Sequence, residues 1–175
     1  MMKGLKMAGL ALVTAAAVST GWAADMKFGY VNSEKVFTMY EETKVAQDKF
    51  NKEVAKWEQQ ASKRLKEINE MKTQLEKQSL VLSDERKKEL EDALRQKIMQ
   101  HEKFVQEKFG QRGEALVKNE ELTKPIIEKI NKIIEKIAKD EQYDFILDTR
   151  AGGVVYAKDA YDLTDRVLKQ LSKEK

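Results

Sequence analysis

The chain of 175 residues contains one histidine, His101, and no cysteine. A histidine-based acid–base pair or a typical zinc site therefore has no material, and the missing thiols exclude a disulfide framework and a lipid-anchored cysteine. Asp148-Thr149 begins like a loop that carries a catalytic aspartate, but Arg150 stands where that loop needs glycine. Gly152-Gly153 lacks the Lys-Ser/Thr that completes a phosphate-binding loop, and fits a turn. With 30 acidic residues, carboxylate pairs at helical spacing are unavoidable and mark no dyad. The residues point to a non-enzyme without cofactor or metal.

Two groups could do binding chemistry. Leu80, Val81 and Leu82 are flanked by Lys77, Arg86, Lys87 and Lys88. This set would suit an anionic amphiphile or a polypeptide segment; it equally suits a tip turn followed by a charged helix start. Met39, Met71, Val81, Met99 and Phe104 fall off or beside the main apolar stripe. Methionine is adaptable, and such a set serves either promiscuous contacts or the filling of a seam.

The element that positions both groups is the run from Lys44 to Lys118. Ala46, Phe50, Val54, Trp57, Ala61, Leu65, Ile68, Met71 and Leu75 recur at three- and four-residue steps, as an α-helical stripe does. Leu90, Leu94, Ile98, His101, Val105, Phe109, Arg112 and Leu116 repeat the rhythm. Ser83 is a helix cap, followed by Asp84 and Glu85 at the positive helix end. One helix therefore ends near Leu80 and the next begins near Asp84. So short a connection makes them antiparallel neighbours, pairing Leu65 with Ile98 and Trp57 with Val105 and Phe109. Gly110 and Gly113 interrupt the return helix, as a hinge or as a local break.

A hairpin with no core beyond its seam must project from something. Lys27 to Val31 reads as a strand, and a helix begins near Glu34 and runs into the first arm. Ile126, Ile127, Ile130, Ile133, Ile134 and Ile137 give one strongly amphipathic helix, which Pro125 either opens or kinks. Tyr143 to Asp148 and Val154 to Ala157 read as strands around the Gly152-Gly153 turn, and Asp162 caps a last helix, Leu163 to Leu171. The expected fold is α+β and mostly helical: a long antiparallel α-helical hairpin arm, 44–118 with its tip near 79–84, projecting from a small β body, 24–43 and 119–175. Three short strands cover little, so the body is expected to be shared between chains, with Phe28, Tyr30, Val31, Phe37, Phe145, Val154, Val155 and Tyr156 at the oligomer interface.

Residues 1–23 read as a cleaved signal peptide. Lys3 and Lys6 precede the apolar run Met7 to Val18, and Gly21-Trp22-Ala23 offers small residues at the cleavage positions. Export and a nearly neutral charge point away from nucleic acid. The arm carries 18 basic and 14 acidic residues, a mild positive excess for acidic partners.

Gly29-Tyr30-Val31-Asn32 with Lys35-Val36-Phe37, the Lys77-Gln78-Ser79-Leu80 tip, Pro125-Ile126-Ile127-Glu128-Lys129-Ile130, Tyr143-Asp144-Phe145, and Gly152-Gly153-Val154-Val155-Tyr156 through Asp162-Leu163-Thr164 resemble the Skp/OmpH family of periplasmic chaperones. The resemblance spans the mature chain in order. It implies a homotrimer with a β body and three helical arms, which holds unfolded outer-membrane β-barrel proteins without ATP. It also implies a lipopolysaccharide site among Lys77, Arg86, Lys87 and Lys88. The alternative is a periplasmic spacer or adaptor that docks a membrane complex through its tip.

Overall fold

The computed structural model describes residues 26–174; the signal-peptide segment lies outside the described residues. The chain runs β1 (Phe28–Val31), α1 (Ser33–Met39), α2 (Glu41–Gln78), α3 (Asp84–Phe109), α4 (Glu114–Asp140), β2 (Phe145–Asp148) and α5 (Thr164–Lys173). Helices α2 and α3 form the expected hairpin. Its turn is set by Ser83, whose hydroxyl accepts a hydrogen bond from the Arg86 amide while its backbone stays extended. No helix among the described residues is long and apolar enough to cross a membrane.

The body is built on a parallel pair. Phe28 stands opposite Phe145 and Val31 opposite Asp148, so the hairpin and α4 together form the crossover that parallel strands require. The other edge of β1 is met by Asp162 as an isolated bridge, and the Leu163 amide donates to the Tyr30 carbonyl at 2.8 Å. One face of the pair is covered. Ile126, Ile130, Ile133 and Ile137 of α4 join Val31, Val36, Tyr40, Leu163, Val167 and Leu171 in a single core. The amphipathic pattern of α4 is thus satisfied within the chain.

Several expectations need correction. Val154 to Ala157 form no strand; the segment is irregular, and Val155 is 99% and Tyr156 83% exposed. Asp162 meets the second side of β1, and the segment pairs with neither that side nor the outer edge of β2; a strand without a partner is not a strand. Helix α1 does not run smoothly into the arm either. Tyr40 takes an extended backbone (φ −71°, ψ 132°) and separates α1 from α2. Pro125 does not open its helix: α4 starts eleven residues earlier, at Glu114, and continues through it.

The break at 110–113 is real, and its glycines are there for space. Both have negative φ, which other residues adopt. A Cβ on Gly113 would stand 2.7 Å from the Lys108 carbonyl oxygen, and one on Gly110 would overlap the Gln106 carbonyl. The break is bridged by the Lys108–Glu114 ion pair. Gly152 and Gly153 differ: φ values of 75° and 101° require glycine there.

Asp148 locks the β2 end to α1. Its carboxylate accepts from the Ser33 hydroxyl at 2.6 Å, the Ser33 amide at 3.2 Å and the Arg150 amide at 3.1 Å. Burial acts to raise its pKa, but these donors and the Arg150 charge together hold it below the usual aspartate value. A depressed folded pKa means stability that is fully present above the unfolded aspartate pKa, about 4, and is lost as pH falls through the folded value. Asp148→Asn is expected to cost about 1–3 kcal/mol at pH 7 and to flatten the loss of stability below about pH 4. Urea melts across that range check this; parallel acid profiles for both proteins would refute it.

Candidate functional site

The candidate binding surface is the hairpin, and its geometry follows from how the two stripes meet. Trp57 and Ile68 of α2 and Phe104 of α3 are buried in the seam, while Ala46 at the root of α2 is buried in the body core. Trp57 meets Phe109 edge-on, with ring centroids 6.2 Å apart, as the antiparallel pairing requires. Lys97 reaches Glu67 at 2.9 Å across the two helices. His101 occupies a half-buried seam position, and its Nδ1 has no hydrogen-bond partner among the described residues.

The seam follows the expected stripe at Trp57 and Ile68 but is displaced by one residue at Leu65 and Ile98. Leu65 is 47% and Ile98 37% exposed, while Arg64 and Lys97 are half-buried in their stead. Phe104, expected beside the seam, is buried in it at 8% exposure. The Arg64 guanidinium lies 4.6 Å from its ring centroid and the Lys108 ammonium 5.8 Å away. Long basic side chains lay their alkyl stems along apolar surface and compete with leucine and isoleucine for the groove. Counting apolar residues alone misses this; a basic residue directly before each displaced apolar one is the only signal the sequence offers.

The other anticipated residues are dispersed. Met71 is half-buried near the seam and Met99 stands exposed on α3, well apart from Phe104. At the tip, Leu80 is 96% exposed and Val81 is open beside it, with Leu82 half-buried. Lys77 ends α2, and Arg86, Lys87 and Lys88 follow the first residues of α3. Arg86 pairs with Glu89 at 2.7 Å, which removes part of the expected anionic attraction. The tip carries apolar and basic groups side by side but no pocket that would fix a ligand among the lining sets found at the arm.

On the body, Phe28 stacks on Phe145 at 5.7 Å, and both are exposed, as is Leu147. Tyr30 is half-buried; burial and the nearby Asp162 and Asp159 charges raise its pKa. Val31 leaves the expected interface set: it is 2% exposed, within the chain's own core, because the alternation of β1 points it toward Val36 and α4. Phe37 packs on the same core and is partly covered. At the root of the arm, Lys129 bonds Glu42 at 2.7 Å, and that carboxylate, with Tyr40, lifts the Lys129 ammonium pKa well above the usual lysine range. This pair fastens α4 to α2 where arm meets body.

Among the described residues no cluster of His, Asp or Glu could hold a metal ion.

Three comparisons place this architecture. A crystal structure from Caulobacter crescentus, of a protein assigned as an OmpH-like outer membrane chaperone, has the same fold: the TM-score is 0.76 over 99% of this chain and 92% of that one, at 13% identity. No curated protein matches the chain by sequence. The model of the outer membrane protein (OmpH-like) family matches residues 27–171, and the chain belongs to that family.

Proposed function

We propose that this chain is a periplasmic holdase chaperone, which captures unfolded outer-membrane β-barrel proteins between helical arms and keeps them from aggregating without ATP. The observation that carries the reading is the hairpin itself. It is a long arm with a one-residue-wide seam, exposed apolar shoulders at Leu65, Ile98 and Phe109, and nothing enclosed. A fitted ligand needs a fitted pocket; an unfolded chain needs many weak contacts on a wide surface. Membership in the OmpH-like family and the fold shared with the Caulobacter protein support the same reading.

In this proposal residues 24–43 and 119–175 form the body, residues 44–118 the arm, and three copies share the body through Phe28, Tyr30, Phe145, Val154, Val155 and Tyr156. The uncovered sheet face and the unpaired Val154–Tyr156 segment are what such an interface would cover. Lys77, Lys87 and Lys88 remain the candidates for lipopolysaccharide or an anionic membrane surface. A second reading, an adaptor docking through its tip, is favoured by one observation, the nearly complete exposure of Leu80.

Light scattering on the mature protein, alone and with a urea-diluted outer-membrane barrel protein, tests this. The expected result is a particle of three chains that takes up one client and stays soluble. A trimer that leaves the client to aggregate would favour the adaptor. The Gly110–Gly113 break is proposed as the joint that lets arms spread. Tethering the adjacent, exposed Arg112 position to the opposing arm through paired cysteines should then reduce capture of large clients selectively, and equal capture would remove the joint from the mechanism.

A further inference from the structure

The two flanks of the hairpin seam are chemically unlike. On the first, Arg64 and Lys108 cover the Phe104 ring, and the Lys97–Glu67 pair spans the helices beside them. That cross-helix pair fixes which side of α2 and which side of α3 belong together. Leu65 follows Arg64 and Ile98 follows Lys97, and one residue turns a helix by about 100°. Both therefore stand on the second flank, as does Phe109, eleven residues beyond Ile98 on the same row. All three are exposed there.

Beside Leu65 the surface of α2 holds a shallow groove. Ser62, Asn69, Thr73 and Gln74 line it, with Lys66 and Glu70. The two charged residues pair with each other at 3.9 Å, so the groove presents no excess charge. An apolar side chain among amide and hydroxyl groups, with its charges balanced, is poorly suited to a phosphate headgroup. It matches an unfolded polypeptide, which offers apolar side chains together with unpaired backbone N–H and C=O groups.

We propose that the second flank, from the Leu65 groove across to Ile98 and Phe109, is the face that an unfolded polypeptide segment lies against. The assignment rests on the chaperone reading and adds which side of the arm faces the client. Apolar client side chains meet Leu65 and Ile98, and client backbone groups meet Ser62, Asn69 and Thr73. Ile98 and Phe109 are about 16 Å apart along the helix, the length of about five residues of extended chain. The first flank, closed by its cations and ion pair, turns away.

The test compares Leu65→Ser/Ile98→Ser with Gln60→Ser/Lys63→Ser on the first flank. Each protein is titrated against one urea-diluted outer-membrane β-barrel protein, with client turbidity as the readout and far-ultraviolet melting to establish that each variant folds. The second-flank variant is expected to weaken capture about tenfold, a loss of about 1.4 kcal/mol, and the first-flank variant less than twofold. Photocrosslinkers at positions 69 and 60 give an independent readout, with client adducts expected from 69 only. Wild-type protein that fails to hold the client would overturn the chaperone reading itself. Wild-type capture that survives the Leu65/Ile98 change, with adducts from position 60, would overturn the flank assignment alone. Loss of binding to anionic phospholipid vesicles, or a change in particle mass, in the second-flank variant without loss of capture would show a lipid or a second copy as the occupant and overturn it too.

Discussion

Val155→Asp combined with Tyr156→Asp should convert an assembled particle into single chains. Both side chains stand almost wholly in solvent in the single chain, so the change costs the folded chain nearly nothing. If they are covered in the assembly, each loses about 1.5–3 kcal/mol of apolar burial. The new carboxylates would also have to be buried unpaired, at several kcal/mol each. Repeated at every interface of a symmetric particle, these terms exceed what a small shared body can spare. Sedimentation velocity reads the result directly. A double variant that keeps the wild-type mass would remove this segment from the interface, and a wild-type protein that is itself a single chain would remove the shared body.

The second large effect concerns the arm alone. Trp57 is 7% exposed, meets Phe109 edge-on, and has the Lys108 ammonium 5.3 Å from its ring. Trp57→Ala removes the largest side chain of a seam that has little else, at an expected cost of about 3–5 kcal/mol. The arm has no second layer to close the cavity. The loss should therefore appear as local opening of α2 and α3, with α4, α5 and the strands keeping their protection. Hydrogen exchange separates the two regions. Equal protection in the arm of variant and wild type would mean that the hairpin is not held by this contact.

Helix phase and helix ends were legible in the sequence because they depend on local chemistry. Ser83 caps α3 through its own hydroxyl, and steric crowding places glycine at 110 and 113. The seam was legible at Trp57 and Ile68 and displaced by one residue at Leu65 and Ile98. Whether Leu65 or Arg64 enters it depends on how the arginine guanidinium packs on Phe104 from the other helix, a contact between residues forty positions apart. Val154 to Ala157 have the composition of a strand, but strand formation needs a partner, and within the single chain this segment pairs with neither outer edge of the β1–β2 sheet. Tyr40 gave no signal of the break between α1 and α2; nothing in its neighbours forbids a continuous helix. Val31 and Phe145 looked alike as strand residues, and only the direction of each side chain separates core from surface.

The parallel register of Phe28 with Phe145 has a consequence for how the chain folds. Lys27 and Asp144, which are hydrogen-bonded, lie 117 positions apart. The first strand to emerge must wait for nearly the whole chain before its neighbour arrives. Closing so long a loop in a flexible chain costs about 2 kcal/mol more than closing one of about ten residues. The hairpin shortens that connection, because α3 returns along α2 as far as Trp57, where Phe109 meets it, and α4 completes the return to the root, where Lys129 meets Glu42. Arm and α4 together thus act as a clamp: once paired, they shorten the connection and hold β1 and β2 beside each other. A chain released before α4 is complete would have a finished arm and no body, and its strand would be as exposed as those of any client.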